Sequence, residues 1–185
     1  CGWETLGEVP SESTFSRAFA AFAKDELPKH IHEAMIKAHY GDKIAGHISR
    51  DGTAIYGREK ATKKTPTPLT PPAEETPFTR LQRQLERTLD ENLADLPRDC
   101  DWGCKKNSQG KVEYWCGYKL HLDTIDGDIP LSWILTAASL HDSQAAIPLA
   151  QMSARRVTSL YDLADAAYDA KEIRQMSEQL GHVAL

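Results

Sequence analysis

The chain has 185 residues, a hydrophobic fraction of 41% and a formal net charge of −5. That length suits one domain, or one domain with a small appendage, and the apolar content excludes wholesale disorder. No apolar run approaches the roughly 20 residues of a membrane span, no signal-peptide pattern opens the chain, and the acidic balance says little about any single face. The first residue is Cys1 rather than Met, so the true N-terminus is expected to be missing or processed. Cys1, Cys100, Cys104 and Cys116 read as reduced thiols of a cytosolic protein.

In chain order, a helical zone comes first, over about 11–41. Phe15, Ala18, Phe19, Phe22 and Ala23 share one helix face, with Ser13 as N-cap. Pro28 opens a second helix carrying Ile31, Ala34, Met35 and Ala38, and Gly41 is a natural stop. The pair fits a helix-turn-helix that docks on DNA, but spacing alone favours an ordinary helical hairpin. "HISRDGTAIYGREK", from His47, predicts a strand with His47, Ser49, Asp51 and Thr53 on its more polar face. A Pro/Lys-rich insertion follows over about 60–111: "KATKKTPTPLTPPAEETP" reads as extended linker, and Leu81, Leu85, Leu89 and Leu93 mark a helix on an otherwise solvated excursion. "YWCGYKLHLDT" and "IPLSWILTAA" alternate as two strands joined at Asp126–Gly127. Alternation puts Tyr118, Leu120 and Leu122 on one side of the first and Lys119, His121 and Asp123 on the other. Asp142 or Ser143 caps a short helix whose first turn tolerates Pro148. "VTSLYDLAD" predicts a buried strand, and "DAKEIRQMSEQLG" a helix opened by a capping box of Asp169 and Glu172. "HVAL" starts a last strand.

This order describes a meander continued by helix-connected strands, a mixed α/β fold in which the later strands return parallel to the first. Asp51 and Asp165, 114 positions apart, then meet if their strands are neighbours. Two close carboxylates repel unless a cation neutralises them, and hard oxygen donors suit Mg²⁺ or Mn²⁺. Such a site serves phosphodiester chemistry. Asp162 competes with Asp165 but points to the opposite side of its strand, and the strand-end position suits a ligand site better.

"GHISRDGTAI.GREK", "YKLHLDT.DGDIPLS..LTAASLHDSQAAIPL" and "LYDLADAAYDAKEIR", in that order and spacing, resemble the bacterial insertion-sequence transposases with a ribonuclease H-like DDE catalytic domain. "TFSRAFAAFA" resembles their N-terminal helical part. The resemblance implies a helical N-terminal segment over 1–42 and an incomplete ribonuclease H-like domain over 43–185. It places the first catalytic acid on Asp51 and the second on Asp165, both binding Mg²⁺ or Mn²⁺. Tyr168 takes the tyrosine position of the family's Asp-x-Gly-Tyr pattern, with Ala167 where glycine is usual. The family's third acid, a glutamate beyond the strand at His182, has no counterpart before Leu185. The chain is therefore expected to be an inactive fragment of a DNA transposase. The implied partner is double-stranded DNA, at transposon ends and target; a homodimer stays open, no membrane is involved, and the implied location is the cytoplasm, at the nucleoid. A non-catalytic DNA-binding remnant and another ribonuclease H-like nuclease are the alternatives.

Each candidate also has a plainer role. Asp51 precedes glycine and suits a turn, and Asp165 suits a helix entry. Arg58, Lys60, Lys63 and Lys64 form a basic cluster that either contacts DNA phosphates or is a solvated linker. Cys100, Cys104, Cys116 and His121 fit no compact zinc spacing. Trp115 and Trp133 are expected to pack.

Overall fold

The structure, a computed structural model, describes residues 2, 4–63, 78–106 and 109–185. Two compact units divide the chain, Cys1–Asp42 and Lys43–Leu185.

The first unit holds α1 (Glu12–Lys24) and α2 (Leu27–Tyr40). The N-cap of α1 is Ser11 rather than Ser13, because Ser11 is the residue with extended backbone, at ψ 155°. The chain reverses at Glu26, whose φ of 50° is left-handed, and Pro28 sits in the first turn of α2, where its missing N–H costs nothing. Phe19 and Phe22 meet edge to face with ring centroids 6.3 Å apart. No helix among the described residues is long and apolar enough to cross a membrane.

The second unit is a mixed sheet flanked by helices, the arrangement expected of a ribonuclease H-like domain. Its elements are β1 (Ile44–Tyr56), α3 (Arg80–Leu85), α4 (Leu89–Ala94), β2 (Asp101–Lys106), β3 (Val112–Ile125), β4 (Ile129–Ala137), α5 (Ser143–Ala154), β5 (Thr158–Ala164), α6 (Lys171–Gln179) and β6 (Val183–Ala184). The strand order is β2-β3-β1-β5-β6, with β4 also paired to β3. β1 is antiparallel to β3 and parallel to β5. The β3–β4 turn takes three residues, Asp126 to Asp128, since Ile125 pairs with Ile129. Gly127 and Asp128 carry its positive φ values, 82° and 58°.

The central strands bury the opposite face to the one their apolar residues suggest. In β3, Lys119, His121 and Asp123 are buried while Tyr118, Leu120 and Leu122 are half-buried. In β4, Ser132, Ile134 and Thr136 are buried while Trp133 and Leu135 are exposed; Leu131, beside the register shift in the β3–β4 pairing, is buried too. The inward polar groups are partnered. Asp123 accepts two bonds from Arg50, at 2.8 and 2.9 Å, and one from Ser153 Oγ of α5 at 2.7 Å. This bidentate pair is buried on both sides, and burial opposes the charge on Arg50 while Asp123 holds its pKa above the ordinary value.

α5 is the core helix: Ala146, Ile147 and Ala150 pack with Tyr168, Ile173 and Met176, and Ala145 and Leu149 with Leu96, Ile134 and Leu140. Pro148 lies inside it, past the first turn, and cannot bond to the Gln144 carbonyl one turn back. Gln84 of α3 fills that role, its Nε2 donating to Gln144 O at 2.8 Å. Asn92 of α4 donates to Gln84 O at 3.0 Å and to Gln151 Oε1 at 3.1 Å. The segment read as a solvated excursion within the insertion at 60–111 is thus folded from residue 79 on. Capping boxes at Thr79/Gln82 and Thr88/Glu91 cut it into two short helices. Leu81 and Leu85 pack on the core, Leu89 is buried, and β2 adds a strand that the sequence pattern does not announce. The capping box of Asp169 with Glu172 does not form: α6 has Ala170 as N-cap, and Asp169 pairs with Arg174.

Candidate active site

The β1–β5 register decides the geometry of the two carboxylates singled out by the sequence. Every pair, from Ile44 with Thr158 to Arg50 with Ala164, joins residues 114 apart. Asp51 and Asp165 are also 114 apart, so they stand one step beyond the last pair, Asp51 in β1 and Asp165 just past the carboxyl end of β5. Both are exposed. Asp51 Oδ1 accepts from Gly52 N at 2.7 Å, and Asp165 Oδ1 accepts from Ala167 N at 2.9 Å. Each uses one oxygen on the local backbone, and no bond among the described residues engages the other. Asp165 is the N-cap of a 3-10 turn, Ala166–Tyr168. Ala167 is not among the residues with positive φ, so alanine in place of glycine imposes no strain there.

The competitor Asp162 is committed to the interior. It pairs with Ile48 in register, accepts from Ser177 Oγ at 2.6 Å and lies 3.2 Å from His182 Nδ1. Beside it, Arg50, Asp162, Asp165, Tyr168, Asp169 and Arg174 line a cleft of about 250 Å³.

Tyr168 is buried, 4% exposed, and its hydroxyl makes no hydrogen bond. Burial drives its phenol far above the ordinary tyrosine range; the negative charge of Asp142 adds to this, Arg50 opposes it, and Asp51 and Asp165 add further. The phenol therefore sits in the field of all three aspartates. Asp142, Lys119 and His121 are neighbours of this site that the sequence assigns to capping, to strand alternation or, for His121, to a zinc spacing that does not fit. Asp142 is in fact the N-cap of α5 but makes no side-chain cap bond. The signal that marks these residues is the inward polar face of β3.

Arg58, Lys60 and Lys63 are exposed on the segment after β1, and Lys64 lies outside the described residues. Arg58 lies seven positions beyond Asp51, at most roughly 23 Å along the chain, and β1 runs extended as far as Tyr56, which sets the cluster apart from the carboxylates. Cys100 and Cys116 approach to 3.7 Å between sulfurs, while Cys104 is exposed. Burial is the main cause that raises the Cys100 thiol pKa to about 11. Trp115 is buried and donates to Tyr118 O at 2.9 Å, whereas Trp133 is 40% exposed. Among the described residues no three His, Cys, Asp or Glu side chains gather closely enough to enclose a metal ion by themselves. Two exposed carboxylates with a free oxygen each still fit Mg²⁺ or Mn²⁺, because such ions are held through one or two carboxylates and keep several waters.

No curated protein and no solved structure matches the chain. The family described as Transposase DDE domain matches residues 51–183, starting on Asp51 and including Asp165. That span is more than half of the chain, and the protein belongs to the transposase DDE domain family.

Proposed function

We propose that Asp51 and Asp165 are the carboxylate pair of a divalent-metal site that cleaves and joins DNA phosphodiester bonds in a transposase, a chemistry for which the family resemblance also implies a third acid that this sequence does not contain. The observation that supports this most directly is the constant β1–β5 register, whose offset of 114 residues is also the separation of Asp51 and Asp165. A divalent ion bound there supplies a more acidic attacking oxygen and neutralises charge on the leaving one. The aspartates orient that oxygen against phosphorus, and their exposure leaves room for a DNA strand. In the first step water oxygen bonds to phosphorus and the 3′-oxygen departs with a proton, giving a free 3′-hydroxyl. In the second, that hydroxyl attacks a target phosphorus and a target 3′-oxygen leaves. Arg58, Lys60, Lys63 and Lys64 hold neighbouring phosphates, which carry affinity rather than sequence reading.

Titration with Mn²⁺ tests the pair. The wild-type chain is expected to bind, and Asp51→Asn and Asp165→Asn are each expected to lose at least about 10-fold in affinity, since each removes a direct charged ligand. Equal binding by all three proteins removes the proposal. Joined product in a strand-transfer assay separates transposition from plain hydrolysis.

A further inference from the structure

Two thiols meet where the chain leaves β1, away from the carboxylate pair. Cys116 pairs with Trp102 across β2 and β3, and Cys100 lies two residues before Trp102, so alternation puts both side chains on the same side of the ladder. Their sulfurs stand 3.7 Å apart. Both donate to one acceptor: Cys100 Sγ reaches Glu59 O at 3.7 Å, and Cys116 Sγ reaches it at 3.9 Å. The same stretch of chain is tied to both cysteines through the backbone. Gly57 N donates to Cys116 O at 2.9 Å, and Thr62 N donates to Cys100 O at 2.9 Å. The Tyr118 hydroxyl donates to Glu59 Oε1. Gly57 leaves room for the sulfur, since a β-carbon there would lie 3.1 Å from Cys100 Sγ.

Reagents can reach the pair from two directions. Cys116 is half-buried. Cys100 is buried, yet it lines a cavity of about 400 Å³ with Thr62, Asp99, Asp101 and His141. To bond, the sulfurs must close by roughly 1.7 Å, from 3.7 Å to the ordinary disulfide length. Cys100 precedes the first ladder pair of β2, Asp101 with Gly117, so its movement breaks no β2–β3 pair.

We propose that Cys100 and Cys116 are a thiol–disulfide pair that a small organic disulfide closes, and that closure loosens the segment over 57–62. The more accessible Cys116, as thiolate, attacks one sulfur of the reagent; one small thiol leaves, and a mixed disulfide forms on Cys116. Cys100 then loses its proton and attacks Cys116 Sγ, and the second small thiol leaves with a proton. Two protein thiols are oxidised to one disulfide, and the reagent is reduced to two thiols. Both S–H hydrogens are consumed, so Glu59 O loses both donors. An excess of small thiol reverses the exchange. Burial, which raises the Cys100 pKa, makes its sulfur a poor leaving group and slows that return. Arg58, Lys60 and Lys63 lie on or beside the loosened segment, so the thiol state sets how firmly this basic cluster is held, whether or not it contacts DNA.

The test uses the full chain with Cys1→Ser and Cys104→Ser, which leaves only the pair, and the same chain with Cys116→Ser added. Each is treated with hydroxyethyl disulfide, a neutral reagent suited to the acidic side chains nearby, then alkylated and mapped by mass spectrometry. A peptide pair joined through Cys100 and Cys116, and parted by dithiothreitol, is the expected product. Two alkylated thiols, or a mixed disulfide that persists on Cys116 beside a free Cys100, would overturn the pair. Limited trypsin digestion reads the segment. Cleavage after Arg58, Lys60 or Lys63 is expected to speed up about 3-fold on oxidation, as two weak S–H bonds are lost, while the Cys116→Ser chain is expected not to respond to the reagent. A disulfide with no change in cleavage would overturn the loosening, and an equal response in the Cys116→Ser chain would overturn its link to the pair.

Discussion

His121 shows what a single side chain does to the stability of this fold. Its ring is buried and neutral, with a pKa near 4 in place of the ordinary 6.5. The unfolded chain binds a proton between those values that the folded chain does not, so stability falls as pH drops from about 6.5 toward 4 and is fully present above 6.5. The linkage amounts to about 3 kcal/mol across that window. Denaturant midpoints at pH 7 and pH 5 are expected to differ, and His121→Gln is expected to reduce that difference by the share of one proton. An unchanged pH slope in the variant would show that the ring titrates alike in the folded and unfolded chain. Gly117 is constrained as tightly on steric grounds. A β-carbon there would come within 2.2 Å of Ile55 O and 2.4 Å of Gly57 N, both backbone atoms, so only glycine lets β1 and β3 close at this end.

At the scale of elements, α5 and α3 depend on each other. Pro148 frees the Gln144 carbonyl, and Gln84 from α3 takes it up. Gln84→Ala leaves that carbonyl unpaired and opens a hole where a fully buried side chain stood; the expected destabilisation is about 2 to 4 kcal/mol. Urea unfolding measures it, and a value below about 0.5 kcal/mol would mean that water replaces the amide at no cost. The alternation of β1, β3 and β4 is legible in the sequence, as are the β3–β4 turn and the helix–strand–helix–strand run that follows. The direction in which β3 and β4 face is not. Apolar residues ordinarily mark the buried side, but Lys119, His121 and Asp123 go inside because Leu140 O, Thr136, Arg50 and Ser153 wait there for them. Those partners come from other elements, up to 73 positions away in the case of Arg50, and no local pattern reveals them. The segment over 79–106 looks solvated in sequence for a similar reason. Its helices are six residues each, too short to show a full periodic face, and buried amides hold them together with Leu81, Leu85, Leu89 and Leu93.

For the whole molecule, the net charge of −5 and a sequence pI of about 5.8 mean that any affinity for DNA has to come from a local basic surface. Arg58, Lys60 and Lys63 are exposed on one short segment after β1. Changing all three to Gln is expected to flatten the dependence of DNA affinity on salt, lowering the slope by roughly 0.9 for each phosphate no longer neutralised. Fluorescence anisotropy over a salt series reads it, and an unchanged slope would place the phosphate-binding groups elsewhere. The sequence by itself determined the mixed α/β class, the helical N-terminal segment, the family and the two aspartates 114 positions apart, because strand periodicity, turn residues and motif spacing are local properties of the chain. Only the tertiary structure decided that this separation equals the β1–β5 register, that the polar side of β3 is the buried one, and that Gly52 brings Asp142 and His121 against the backbone at Asp51. Register and charge pairing arise between segments distant in sequence, where burial and hydrogen-bond satisfaction override the preferences of any one segment.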